Sequence, residues 1–303
     1  MKVLITDQID RKAKELLEQQ GLQVEVRPTL PKDELLSIIP EFSAVAVRSA
    51  TRLDRELLQR GRRLKVVVRG GVGVDNIDLA AASELGIAVA NTPGANTVAT
   101  AELTLALMLA LSRNVCAAQA SLARGEWNRG AFRGVELFRK VLGIIGLGRI
   151  GRAVAERARA FGMDVMAYDP FLTEQAFVKA GVARVALETI FQRSDFISLH
   201  VPLTSKTRAI IDRQAIDQMK PGVRIINCAR GGLADENALA EALEQGKIAG
   251  VALDVYAKEP PAKNHPLIGH PKVIALPHLG AYTFEAQDKV AEEVAEVITD
   301  FLI

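Results

Sequence analysis

Short, nearly unbroken apolar runs occur at 2–6, 23–26, 44–47, 64–68 and 87–90. Between them, at 10–20, 32–39, 54–60 and 78–85, apolar residues recur at helical spacing among polar ones. A strand buried on both faces reads as a continuous apolar run, and strands alternating with helices predict a parallel sheet covered on both sides. Asn91-Thr92-Pro93-Gly94 interrupts the series as a hinge or loop, which predicts a first domain over 1–95. A helix is then expected over 97–114, continuing in part towards Gly125. It is apolar on nearly all sides and so should be buried, between domains or against a second subunit. The alternation resumes with strands expected at 141–145, 165–168, 196–200, 223–227, 248–255 and 273–276. Helices are expected at 149–161, 187–193, 213–219, 234–245 and 283–302. The pattern describes an α/β chain with two doubly wound parallel sheets.

Composition narrows the class without changing the fold. The chain has 303 residues, 49% of them hydrophobic and 24% charged, enough for two domains with sizeable cores. A formal net charge of +2 supplies no basic field for nucleic acid. Two cysteines, Cys116 and Cys228, are too few for a disulfide framework and fit a reducing, cytoplasmic setting. The N-terminus meets Asp7 and Asp10 after a very short apolar run, unlike a signal peptide, and the most apolar helix is too short to span a bilayer.

The most informative stretch is 141–152. An apolar run leads into Gly146-Leu147-Gly148-Arg149-Ile150-Gly151, a G-x-G-x-x-G turn ahead of a helix. The first glycine permits the tight turn, the second lets a pyrophosphate approach the backbone, and the third lets helix and strand pack closely. The helix N-terminus then offers free N–H groups and a positive dipole end to the phosphates. The next apolar run ends at Asp169, where an acid would bind a ribose 2′-hydroxyl. Asp169 would sit against a 2′-phosphate, and Pro170-Phe171 offer no compensating cation, so NAD is expected over NADP. Three later stretches follow apparent strands: 227–232 with Arg230, 254–260 with Asp254 and Glu259, and 277–281 with His278. In an open α/β sheet, ligands bind outside the carboxyl ends of the strands. A guanidinium for a carboxylate, an imidazole for a hydroxyl proton and a carboxylate to orient the imidazole are the parts that hydride transfer at a 2-hydroxy acid needs. Each alone has a bland reading as a loop or strand-end residue; their arrival at one edge beside the glycine turn favours chemistry. His265 and His270 read as surface or turn residues with no metal-ligand spacing, so no metal is expected. His200 reads as structural, and Cys228 as a small buried residue near the cofactor. Arg48 and Arg69 each follow a predicted strand of the first domain and are candidates for an anion on the substrate.

Val47-Arg48-Ser49-Ala50-Thr51, Gly71-Val72-Gly73-Val74-Asp75-Asn76, Asn91-Thr92-Pro93-Gly94, Ala101-Glu102-Leu103-Thr104, the glycine turn and the three strand-end stretches lie in an order that resembles the D-2-hydroxyacid dehydrogenase family nearly end to end. The resemblance implies Arg230, Glu259 and His278 as the catalytic set. It implies NAD contacts at Val72, Gly146, Gly148, Arg149, Ile150, Gly151, Asp169, Val201, Cys228, Ala229, Arg230, Asp254, His278, Gly280 and Ala281. Substrate contacts are implied at Gly71, Val72, Gly73 and Arg230, with Arg48 and then Arg69 as candidates for a phosphate. It implies a flavodoxin-like substrate domain over 1–95, a Rossmann domain over 96–282, a final helix over 283–303 that returns to the first domain, and a homodimer built on the helix from Thr97. The motifs lie nearest the branch that oxidises D-3-phosphoglycerate. Gly70 and Tyr282 depart from that branch, which usually has alanine and serine there. A glyoxylate or hydroxypyruvate reductase is the alternative within the family, and an NAD-sensing corepressor-like module is the alternative outside enzymes. Because the sequence stops at Ile303, feedback through an appended regulatory domain is not expected.

Overall fold

The computed structural model describes residues 1–303. It divides into two compact units, Met1–Thr97 with Ala281–Ile303, and Val98–Gly280. The first unit contains β1 (Lys2–Ile5), α1 (Arg11–Gln19), β2 (Gln23–Val26), α2 (Lys32–Ile38), β3 (Ala44–Val47), α3 (Arg55–Arg60), β4 (Val66–Arg69), α4 (Leu79–Glu84) and β5 (Ala88–Asn91). Its five strands are all parallel, in the order β2-β1-β3-β4-β5. That is the flavodoxin-like order. The unbroken apolar runs follow from two buried faces. Val3, Ile5, Ala44, Ala46, Val66 and Val68 enter one core layer, and the intervening Leu4, Val45, Val47 and Val67 enter the other. Asp10, Asp54 and Asp78 are N-caps rather than first helical residues, each accepting a backbone N–H from the first turn. Leu64 and Ile87 lie just ahead of β4 and β5, yet both are buried in a core layer. Their apolarity reports burial, not membership of the ladder.

The second unit begins with the body of α5 (Thr97–Ser112), followed by α6 (Val115–Ala123). The single long helix expected here is in fact bent by 63° between these two segments. Asn114 takes a left-handed conformation at the break (φ 51°, ψ 36°), which asparagine tolerates better than most residues. No single helix is long and apolar enough to cross a membrane. There follow β6 (Val141–Ile145), α7 (Arg149–Ala160), β7 (Asp164–Tyr168), α8 (Glu174–Ala180), β8 (Ala183–Arg184), α9 (Leu187–Arg193) and β9 (Phe196–Leu199). The unit ends with α10 (Arg213–Gln218), β10 (Val223–Asn227), α11 (Glu236–Glu244), β11 (Ile248–Leu253) and β12 (Val273–Ala275). Seven parallel strands run β12-β11-β10-β9-β6-β7-β8. The order reverses at β6, which puts the topological switch point where the glycine turn leaves the sheet. Sequence patterning missed α8, which buries only Phe177, and β8, which is two residues long and exposed on both.

The chain ends in α12 (Phe284–Leu302), which packs on α1 and β4 of the first unit. Ala286, Val290, Val294, Ile298 and Leu302 recur every fourth residue and are buried, a stripe suited to a covered helix face.

Candidate active site

In the second unit every strand is parallel, so the segments leaving their carboxyl ends share one edge. The first of these is the glycine turn after β6. Gly146 has φ +95°, Gly148 faces open space, and a Cβ on Gly151 would strike the Gly146 carbonyl. These are the three roles expected of turn, ligand approach and helix packing. Gly148 caps α7 without a side-chain bond, so the N–H groups of the first turn remain for an anion. After β7, Asp169 accepts from Leu147 N with one oxygen and from Phe171 N with the other, each at 3.0 Å. The acid thereby ties its own loop to the glycine turn and keeps lone pairs for further donors. Asp169 also lines a pocket of about 360 Å³ with Tyr168, Pro170, Arg184, Val185 and Ala186. Arg184 is a cation the sequence reading missed, since β8 escaped notice. Its guanidinium is committed to Glu174 at 3.4 Å and to the face of Phe177.

The chemistry-bearing groups follow β10, β11 and β12. Asn227 accepts from Ala229 N at 3.0 Å and donates to Arg230 O at 2.9 Å, which fixes the turn that carries Arg230. Gly231 meets the Tyr256 carbonyl so closely that no Cβ would fit, so the Arg230 and Glu259 loops abut main chain to main chain. Glu259 Oε2 lies 2.7 Å from His278 Nδ1, leaving Nε2 for proton exchange. Burial alone would raise the Glu259 carboxyl. The His278 pair, the Tyr256 N–H and the Arg230 charge outweigh it and hold the group below the ordinary carboxylate range.

His278 sits at φ +59°, a strained conformation that its surroundings enforce. The fully buried Asp254 accepts from Leu279 N and Gly280 N at 2.7 Å each. Thr100 of α5 donates to Gly280 O at 2.9 Å. Burial pushes the Asp254 carboxyl up, against these two N–H donors. Asp254, expected as a cofactor contact, is therefore also the anchor of the histidine loop. Ile150, Val201 and Ala229 are half-buried at the same edge. Burial pushes the Cys228 thiol up to about 12, which removes it as a nucleophile. His200 is driven down to about 4 by burial, and its Nε2 lies 2.8 Å from Ser198 Oγ, consistent with its structural reading. His265 and His270 differ from their expected place at the surface. Their side chains are 8% and 12% exposed, against Glu236 and Glu244 respectively.

The first unit holds the remaining candidates. Arg48 follows β3, and its N–H donates to buried Asp7 at 2.6 Å. Asp7 also accepts from Thr51 N and its hydroxyl, while Asn76 donates to Arg48 O and Thr51 O. The Arg48 guanidinium contacts Gln287 Oε1 and Gln8 O, and burial lowers it from its ordinary value against the charge of Asp7. Arg69 is the last residue of β4 rather than beyond it, paired with Val47. Its guanidinium lies against Gly71, where it would meet a Cβ, so Arg69 borders the Gly71-Val72-Gly73 segment. Asn91 donates to Val72 O at 2.5 Å. A Cβ on Gly70 would meet Val290 at 2.9 Å, which explains the departure there: α12 already occupies the space an alanine methyl would need. Tyr282 is 68% exposed, and nothing in the structure explains its replacement of serine. Ala281 is the first residue of the returning segment.

Residues 105–280 match the model of the D-isomer specific 2-hydroxyacid dehydrogenase NAD-binding domain. The chain is 50% identical over 303 residues to D-3-phosphoglycerate dehydrogenase of Methanocaldococcus jannaschii, covering 100% of this chain and 57% of that protein. It spans about half the length of the curated relatives it matches, 54–57% for the archaeal and Synechocystis proteins. Among solved structures, a glyoxylate reductase from Paecilomyes thermophila is 33% identical with a TM-score of 0.91, covering 100% of this chain and 95% of that one. A D-lactate dehydrogenase from Aquifex aeolicus, complexed with NAD and lactic acid, is 31% identical with a TM-score of 0.88, covering 99% and 95%.

Proposed function

This chain belongs to the D-isomer specific 2-hydroxyacid dehydrogenase family, and from that premise we propose that it oxidises D-3-phosphoglycerate to 3-phosphohydroxypyruvate with NAD, the first step of serine synthesis. The observation that carries the reading is the 2.7 Å pairing of His278 Nδ1 with Glu259. It sits on the sheet edge that also delivers Arg230 and the glycine turn. The 50% identity to a D-3-phosphoglycerate dehydrogenase, against 33% to a glyoxylate reductase, supports the phosphorylated substrate. Bound NAD would take the C2 hydrogen as hydride. His278 Nε2 takes the C2 hydroxyl proton, and Glu259 balances the imidazolium that forms. Arg230 holds the substrate carboxylate and polarises the C2 oxygen. Gly71, Val72 and Gly73 offer backbone N–H groups to the same carboxylate, and Arg48 and Arg69 are assigned to the distal phosphate. We take the chain to act in the cytoplasm as a homodimer. Support comes from the absence of any disulfide and from Val115, Leu122 and Trp127, left 51%, 58% and 80% exposed. A steady-state panel of phosphorylated and unphosphorylated 2-oxo acids with NADH tests the assignment. Preference for glyoxylate or hydroxypyruvate would replace the substrate named here.

Two further results are expected. NAD should be strongly preferred to NADP, because the Asp169 carboxylate repels a 2′-phosphate. Asp169→Asn keeps an acceptor for Leu147 N or Phe171 N while removing the charge. It should raise relative efficiency with NADP by roughly tenfold or more. Wild-type efficiency with NADP equal to that with NAD would refute the role of Asp169. Glu259→Gln should move the rising limb of the oxidation pH profile to lower pH. Glu259 is held below the ordinary carboxylate range, so its charge is present wherever an imidazole titrates. Removing that charge destabilises the imidazolium, and the neutral acceptor form of His278 then persists to lower pH. An unmoved limb would dissociate the pair.

A further inference from the structure

A second histidine–carboxylate pair stands next to the Glu259 loop and takes no part in the proton transfer derived above. His265 Nε2 lies 3.0 Å from Glu236 Oε2, with side chains only 8% and 20% exposed. His265 Nδ1 accepts from Leu267 N at 3.3 Å. That bond leaves the ring proton on Nε2, where it donates to Glu236. The other oxygen of Glu236 accepts from Ala257 N at 2.8 Å. Glu259 Oε1 accepts from the preceding N–H, that of Tyr256, at 3.1 Å. Consecutive N–H groups of one turn are thus held by two carboxylates, one from α11 and one from the catalytic set. Tyr256 joins the two halves: its ring meets His265 edge-on with centroids 5.5 Å apart, and its hydroxyl donates to Leu276 O at 2.8 Å.

We infer that Glu236 and His265 are positioning residues for His278, acting through the Tyr256–Ala257 turn; the inference rests on the dehydrogenase reading above. The rigid Glu259 carboxylate spans Tyr256 N with one oxygen and His278 Nδ1 with the other. A slip of the turn therefore reaches the histidine with nothing flexible between. With His265 and Glu236 in place, the turn has one position. Without them, Ala257 N loses a charged acceptor held by a buried partner, and the Glu259 oxygen is free to leave His278. The other charged or titratable groups facing this loop are Asp254, Arg230 and the Tyr256 phenol, and the variants below leave all three in place.

His265→Phe keeps a flat ring against Tyr256 and deletes both ring hydrogen bonds. It should lower kcat for oxidation by roughly three- to tenfold and leave KM for NAD unchanged. The rising pH limb should shift in the same direction as in Glu259→Gln, by a smaller amount. His265→Gln restores an N–H donor near the position of Nε2 and should return the limb towards wild type. Combining His265→Phe with Glu259→Gln should add no further shift, since both act through one contact. A second readout needs no turnover. The chain has four histidines, so the His278 ring signals can be assigned by single substitutions, and in His265→Phe and Glu236→Gln their NMR titration midpoint should move to lower pH. Wild-type titration of His278 in folded variants, with an unmoved limb, would overturn the inference and leave the pair as scaffold. If the wild type reduced no 2-oxo acid, the functional reading would fall, and the NMR titration would still decide the coupling.

Discussion

Replacing His278 with glutamine should slow the chemical step by roughly 10²–10⁴-fold, the usual worth of a positioned acid–base group, while NADH binding survives. Glutamine can still donate to Glu259, so the 2.7 Å contact keeps a partner, but no group remains that both takes and returns a proton at neutral pH. The loop should keep its place because its anchors lie outside the side chain. Asp254 holds the next two N–H groups and Thr100 holds the Gly280 carbonyl. Glutamine must adopt the same left-handed backbone as histidine at φ +59°, a region histidine tolerates better than most residues, so a fold check accompanies the variant. A β-branched residue would be a poor control there. The decisive measurements are single-turnover oxidation and NADH fluorescence titration on the same preparation. Turnover near wild type with unaltered NADH affinity would mean that His278 is not the proton carrier. Loss of NADH binding would mean that the substitution had disturbed the loop instead.

The gathering of Arg230, Glu259 and His278 at one edge was legible in the sequence because a parallel sheet turns chain position into spatial position. A residue just past an apolar run has nowhere to go but the carboxyl edge, so Arg230, Glu259 and His278 could be assembled from three separate stretches. The glycine turn was legible for a similar reason: Gly146 and Gly151 answer local steric demands, and Gly148 leaves space open for a ligand. What stayed hidden depended on partners distant in sequence. His265 and His270, with Pro266 and Gly269 between them, look like surface or turn residues, and only the fold brings Glu236 and Glu244 against them. Arg184 lies on a two-residue strand too short to leave a pattern. The glycine at position 70 makes sense only once Val290 of α12 fills the space beside it. The pattern predicts a helix to Asn114 that continues in part towards Gly125, and the 63° bend between α5 and α6 was not read from it. An apolar composition on all faces predicts cover, yet α6 buries only Ser121 and leaves Val115 and Leu122 exposed.

The substrate anion is where the chemistry of the first unit should be most exposed to test. Arg48→Gln should lower kcat/KM for 3-phosphohydroxypyruvate by roughly ten- to a hundredfold, the equivalent of one charge-assisted bond of about 1.5–3 kcal/mol. The surroundings of the arginine support the proposed role. Asp7 and Asn76 fix its main chain, and Gln287 Oε1 steers the guanidinium through one of its nitrogens. Burial penalises its charge, so an anion that pairs with it regains what desolvation costs. Glutamine deletes the cation, and α12 keeps the buried Ala286, Val290, Val294, Ile298 and Leu302 stripe that packs it. Arg48→Lys, which keeps the charge but loses the planar fork, should fall between wild type and Arg48→Gln. Reduction of unphosphorylated hydroxypyruvate is the internal control, because it has no group to lose at that position and should change much less. Equal losses on both substrates would make Arg48 a ligand of the shared carboxylate or part of the scaffold. The phosphate would then pass to Arg69, whose guanidinium already lies against Gly71, and Arg69→Gln would be the variant to discriminate between the two substrates.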